Sequence, residues 1–387
     1  MKKALKIVWR TLLALFLTVY VVVALLNYSL VQSLVASYAG SRCSEAWGGE
    51  VRIGSLGCNP LNHLVLRDVL LVSPDNDTIC SARKMSFRFA GFPYGDGGLS
   101  FSEARLHDVD YHLAIDSNGL NLRHIINYYA SHDTTTKKKP HSGVFTVLVD
   151  DLILDNVTYR HDLKDSRPRE EWCSGPGVDV KHQAWCNVKA RMRNVRVAAD
   201  NVTCRIERFV THERSGLEVQ EMSMNVYVTR SGISATNMIL QTGDSRLVGD
   251  VMLDYDRWKS MSHFLDSVTL NCHFLDGSYG GMRDAGWWAE PLWGMDEQVD
   301  IRGWFGGTVS NLYAEGVRLA FGDESYLEFD GAMKGLPKID STYIDARLYR
   351  LHTTYADLAA VRHPAGVTLT AEKLLKQMDH IDAEAEF

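Results

Sequence analysis

The chain has 387 residues, 45% of them hydrophobic and 23% charged, with only nine prolines, a balance that excludes a disordered chain and suffices for roughly two or three domains or one elongated one. The formal net charge is −7 and the positive charge is concentrated at the N-terminal end, so the basic stripe needed by a nucleic-acid-binding surface is missing.

From Thr11 to Val31 no residue is charged, and Lys2, Lys3, Lys6 and Arg10 precede this run. About twenty residues rising about 1.5 Å each span the roughly 30 Å of a bilayer's hydrocarbon core, and cations on one flank keep that flank in the cytoplasm. The pattern predicts a single-pass inner-membrane anchor built on Thr11, Leu12, Leu13, Leu15, Phe16, Leu17, Val19, Val21, Val22, Val23, Leu25 and Leu26, with the bulk of the chain in the periplasm. A cleaved signal peptide is the competing reading, with Ser37-Tyr38-Ala39 as its cleavage site. The apolar run is longer than the usual ~7–15 residues of such peptides, and that site lies far beyond its end. A lipidated Cys58 is excluded because Ser55 stands where leucine is preferred.

The helix is expected to continue from Val31 to Ser41 and to break at Gly48-Gly49. Strands follow at 51–53, 64–72 and 84–89, the last alternating apolar and polar residues with period two. In 119–129 the apolar groups at 122, 125, 126 and 129 take the spacing of one helical face. Thr134-Thr135-Thr136-Lys137-Lys138-Lys139-Pro140 reads as an exposed linker. The chain therefore divides into a basic stub, anchor and helical extension (1–41), an α+β domain (42–131), a polar linker (132–143) and a strand-rich region (144–387).

Beyond Phe145 nearly every segment reads as a strand. Met222, Met224, Val226 and Val228 alternate with polar neighbours; Leu247, Val251 and Leu253 share a face; so do Val317, Leu319 and Phe321, and Ile344, Ala346 and Leu348. Turns are expected at Arg230-Ser231-Gly232, Gly243-Asp244-Ser245 and Gly322-Asp323-Glu324. Such hairpins have one apolar face that something must cover. A second sheet would make a sandwich, while a long curved sheet would form a trough in which acyl chains replace the missing layer.

Little in the chain points to chemistry. The seven cysteines have no metal-ligand spacing; Cys173 and Cys186 are the one pair suited to a hairpin-closing disulfide, and the others read as small apolar residues. Asn76, Asn156 and Asn201 each open an Asn-x-Thr triplet, a pattern short enough to arise by chance. His107 and His112 flank the densest titratable cluster, but five residues apart in a strand they are expected on opposite faces, which speaks against a metal site. No nucleophile elbow, zinc-protease helix, Walker loop or dinucleotide fingerprint is present, so the chain is read as a non-enzyme without cofactor or metal. Trp287, Trp288 and Trp293 suggest an aromatic loop capping the sheet's end in preference to a sugar-stacking site.

Three groups of residues carry a resemblance. They are Val31-Gln32-Ser33-Leu34 with 48–54 and 64–69; Gly303-Trp304-Phe305-Gly306-Gly307-Thr308-Val309-Ser310-Asn311-Leu312 followed by Gly335-Leu336-Pro337; and the turn Gln241-Thr242-Gly243-Asp244-Ser245. They resemble AsmA-like proteins, most closely the TamB-type translocation and assembly module proteins of the Bacteroides group. The resemblance covers nearly the whole chain, and its motifs are architectural. It implies a mainly β fold, in which a transmembrane helix is followed by an AsmA-like N-terminal domain and an elongated, curved, mostly antiparallel groove, the β-taco, with a few short helices. The implied function is transport of phospholipids from the inner membrane toward the outer membrane, with Met222, Met224, Val226, Val228, Leu247, Val251, Leu253, Ile344, Ala346 and Leu348 lining the groove. The alternative is a scaffold for outer-membrane protein biogenesis acting by strand addition with a barrel partner of the TamA/BamA type. Family members are usually longer, so an N-terminal fragment lacking the partner-binding C-terminal region is expected.

Overall fold

A computed structural model describes residue 17 and residues 28–59, 62–91, 98–132, 146–171, 177–198, 200–288, 292, 294–336, 342–360 and 380–386. The fold is mainly β with a few short helices, as the alternation predicts. Of the expected anchor only Leu17 falls within these residues; the rest lies outside them. Among the described residues no helix is long and apolar enough to cross a membrane. The chain forms two compact units, 1–167 with 181–188 and 168–180 with 189–387.

The first unit opens with helix α1 (Ser29–Trp47), which ends where Gly48 takes a left-handed φ of 74° and donates its N–H to the Ser44 carbonyl at 2.9 Å. The helix seats on β1 (Glu50–Asn59): the Val51 N–H donates to Ser44 Oγ at 2.8 Å, and a Cβ on Gly40 would lie 2.8 Å from the Val51 carbonyl oxygen. Strands β2 (His63–Val72), β3 (Thr78–Phe89) and β4 (Gly98–Asp116) continue antiparallel from β1. After the two-residue β5 (Gly119–Leu120) and helix α2 (Arg123–His132), strand β6 (Thr146–Leu163) joins β4 in parallel. A parallel pair needs a crossover, and the helix predicted from 122, 125, 126 and 129 belongs to it. Ile79, Ala82, Ala104, Val109 and Ala114 are buried.

A row of left-handed residues crosses this sheet. Asp68, Asp108 and Asn156 have φ of 52°, 51° and 57°. The pairing on either side aligns them across the strands, since Arg67, Lys84, His107 and Asp155 pair in sequence on one side and Val69, Ala82, Val109 and Val157 on the other. Asn and Asp tolerate this conformation because their short side chains bond locally. Here Asn156 Nδ2 donates to Asp108 Oδ1 at 2.6 Å. That bond, with the nearby His107 and Arg83 charges, holds the Asp108 carboxyl below the usual range. Each such residue shifts the strand's alternation by one, so the apolar face passes from Ala104 and Leu106 to Val109 and Tyr111. His107 and His112 consequently share a face, contrary to the expectation from their spacing. They nevertheless have separate partners: His107 Nδ1 meets Asp155 Oδ2 at 2.9 Å, and His112 Nε2 meets Asp162 Oδ2 at 2.6 Å.

Strand β7 (His182–Ala198) contributes residues to both units. In the second unit β8 (Asn201–Glu213), β9 (Glu218–Val228), β10 (Gly232–Thr242) and β11 (Arg246–Asp254) pair antiparallel in chain order. The next strand position is shared by β12 (Thr269–Phe274) and β13 (Tyr279–Gly281), which both bridge β11 and β14 (Gln298–Thr308). Strands β15 (Asn311–Phe321), β16 (Ser325–Lys334), β17 (Tyr343–Thr354) and β18 (His380–Glu386) complete the order. The three predicted turns fall between strands as expected.

Left-handed residues recur here with a carboxylate on the neighbouring strand as cap. Asn237 (φ 50°) donates its N–H to Asp250 Oδ1 at 2.8 Å, and Gly316 (φ 58°) donates to Asp330 Oδ1 at 2.6 Å. The turns at one end of the strands are also held by carboxylates. Asp284 of helix α4 (Met282–Gly286) accepts from Thr242 Oγ1, from the Asp244 N–H at 2.9 Å and from Ser245 Oγ at 2.9 Å. Helix α3 (Phe264–Ser267) lies earlier in the chain, and helix α5 (Tyr355–Ala360) later. In α5 Asp357 accepts the N–H groups of Asp323, Glu324 and Ser325 at 3.0, 3.1 and 2.9 Å and the Ser325 hydroxyl at 2.7 Å.

Candidate lipid-binding face

Strand register decides which of the expected groove residues meet. In the second unit one row of directly paired residues runs Cys204, Val226, Ala235, Val251, Cys272, Phe305, Ala314, Gly331, Ala346 from β8 to β17. The next row on the same face runs Val202, Val228, Ile233, Leu253, Leu270, Gly307, Leu312, Met333, Ile344. On the other side of the first row lie Met222, Leu240 and Leu247, paired in turn, and Phe329 paired with Leu348. Register thus places all ten residues expected in the groove on one apolar face: Met222, Met224, Val226, Val228, Leu247, Val251, Leu253, Ile344, Ala346 and Leu348.

The rows differ in side-chain size. The first is mostly Cys, Ala, Gly and Val, and the rows beside it are mostly Val, Leu, Ile and Met, giving a low floor between higher walls. Nine strands about 4.8 Å apart carry this floor for about 38 Å, against about 15 Å for the hydrocarbon depth of one bilayer leaflet. None of the ten residues is buried: nine are half-buried and Ile344 is 53% exposed. Apolar residues between two packed sheets lose nearly all their solvent contact. Burial in apolar surroundings pushes the Cys204 and Cys272 thiols up, which leaves them as small apolar floor residues, as expected from their spacing.

At the turn end, Trp287 closes over the β8–β9 turn, where a Cβ on Gly216 would lie 3.2 Å from its ring, and its carbonyl accepts the Val178 N–H at 2.9 Å. The aromatic loop therefore caps strand ends through Trp287, while Trp288 is exposed. Trp293, like Cys173 of the suggested disulfide, lies outside the described residues.

The first unit contains one polar cluster that spacing did not reveal. Asp162 on β6 meets His112 Nε2 at 2.6 Å and His182 Nδ1 at 3.1 Å, and His182 Nε2 lies 2.8 Å from Ser166 Oγ. Burial pushes the Asp162 carboxyl up, but the bonds from His182 and His112 outweigh it and hold the group below the usual range. The contact has the order of a nucleophile, base and orienter, yet the Ser166 hydroxyl also donates to the Leu163 carbonyl at 2.9 Å and Asp162 is shared with a second histidine. Those bonds tie β4, β6 and the start of β7 together.

No protein-family model, curated protein or solved structure matches this chain.

Proposed function

We propose that this chain is an inner-membrane-anchored periplasmic lipid-transfer protein whose apolar sheet face shelters phospholipid acyl chains on their way toward the outer membrane. The observation that carries the reading is the half-exposed apolar face of the second unit, with a floor that runs over nine paired strands and is small-residued except at Phe305. Burying each acyl CH₂ against it contributes about 0.8 kcal/mol, so contact with a few strands holds a chain without polar recognition and headgroup selectivity is weak. The charge asymmetry around Thr11 to Val31 supports the anchor and its orientation. The resemblance to AsmA-like and TamB-type proteins supports the same direction, with no catalytic step.

The test is to purify the full chain from membranes in mild detergent, extract it and identify bound lipid by mass spectrometry. Co-purified phospholipid of mixed headgroup is expected. A chain that carries no lipid would overturn the proposal.

A further inference from the structure

The opposite, polar face of the second unit carries a cavity of about 590 Å³ over β15, β16 and β17, whose walls are Tyr313, Glu315, Asp330 and Tyr349. Its floor lacks side chains: a Cβ on Gly316 would meet nothing within 4 Å. Tyr313 is laid against the glycines of β14, since a Cβ on Gly306 would fall 2.3 Å from its ring, and it remains 44% exposed. Tyr349 is 41% exposed and pinned by its hydroxyl, which donates to Asp330 Oδ2 at 2.6 Å. Trp304, the register partner of Glu315, extends the aromatic surface; it is 45% exposed and held by His273, stacked at 3.9 Å with 4° between the rings.

From this geometry we infer that the polar face binds a neutral carbohydrate. Fixed aromatic rings offer flat apolar surface to the C–H face of a sugar, and between them stand carboxylates with lone pairs free for hydroxyl donors. Asp330 is held in place by the Tyr349 hydroxyl and the Gly316 N–H, which keep its carboxyl below the usual range, so it is an ionised acceptor. Anionic ligands such as a phosphate headgroup are repelled by Glu315 and Asp330. A cationic ligand is disfavoured because Arg347 already lies 5.4 Å from the Tyr349 ring centre and offsets part of the acidic charge. The cavity volume is within the range of small-molecule sites, about 300–1,000 Å³, and suits a short oligosaccharide. The site is on the face opposite the proposed lipid floor, so it does not depend on that reading.

The test is binding of the full chain to an array of neutral hexose and N-acetylhexosamine oligosaccharides, followed by titration calorimetry with the best one. Gly316→Asn is the informative variant, because asparagine accepts the left-handed backbone and projects a side chain from the open floor while leaving every wall group in place. Binding should fall at least tenfold in Gly316→Asn and in Tyr313→Ala and be unchanged in Trp288→Ala. An array without signal, or a Gly316→Asn protein of unchanged melting temperature that binds as tightly as the parent, would overturn the inference.

Discussion

Val226→Asp separates an open lipid-bearing face from a closed core. Val226 is the second of the nine residues in the floor row, between Cys204 and Ala235, and is half-buried. On an open face the new carboxylate stays hydrated in the lipid-free protein, and the cost is limited to strand preference, about 1 kcal/mol. In a packed core the same charge would lose more than about 3 kcal/mol. Lipid contact responds the other way: losing about three CH₂-sized contacts at about 0.8 kcal/mol each removes about 2.4 kcal/mol, or roughly 50-fold in affinity. Denaturant unfolding of delipidated protein and fluorescent-lipid titration measure the two quantities, with Asn225→Asp on the exposed face as control. A stability loss above about 3 kcal/mol in Val226→Asp, or equal lipid affinity in the two variants, refutes the open face.

Asp357 is held far below the usual carboxylate range, first by the Asp323 N–H and then by the Ser325 hydroxyl, against a smaller opposing effect of burial. A depressed folded pKa gives stability that is present above the unfolded value of about 3.9 and lost as pH falls through it and below. Asp357→Asn should therefore cost about 2 kcal/mol at neutral pH and show a shallower loss on acidification; parallel urea-unfolding curves at every pH would contradict this. In the first unit, Asn156→Val and Asn156→Gly both lose the bond to Asp108, but only valine places a branched residue at φ 57°, so Asn156→Val should be less stable than Asn156→Gly by about 1–2 kcal/mol; equal melting temperatures would remove the bulge argument. A phosphatase fused after Ser41 should be active, and an inactive fusion with an active cytoplasmic reporter at that site would reverse the orientation.

Period-two alternation was enough to place the second half of β3, β9 and β17, because one side of each strand is apolar and the other wet, and the turn at Gly243-Asp244-Ser245 was legible from its residues. It failed at Asp108. A mid-strand aspartate reads as one more outward polar residue, while its left-handed backbone shifts every later residue to the other face. The shared face of His107 and His112 was hidden for that reason, and the parallel pairing of β4 with β6 because it depends on a crossover. The ten groove residues were legible as separate alternating strands, but their union into rows needed the register. Asp284 and Asp357 could not be recognised, since each caps a turn more than thirty residues earlier in the chain. The Tyr313 and Tyr349 cavity depends on bare glycines on two strands, which spacing alone does not bring together.

The central claim is that lipid lies on one face of the β8–β17 sheet. A photo-crosslinking residue at position 226 or 225, irradiated in intact cells, tests it most directly: the two sites are adjacent in the chain and on opposite faces, Val226 half-buried and Asn225 exposed. Lipid adducts should form at 226 and be nearly absent at 225. Equal adducts at both positions, or none at either, would contradict the account.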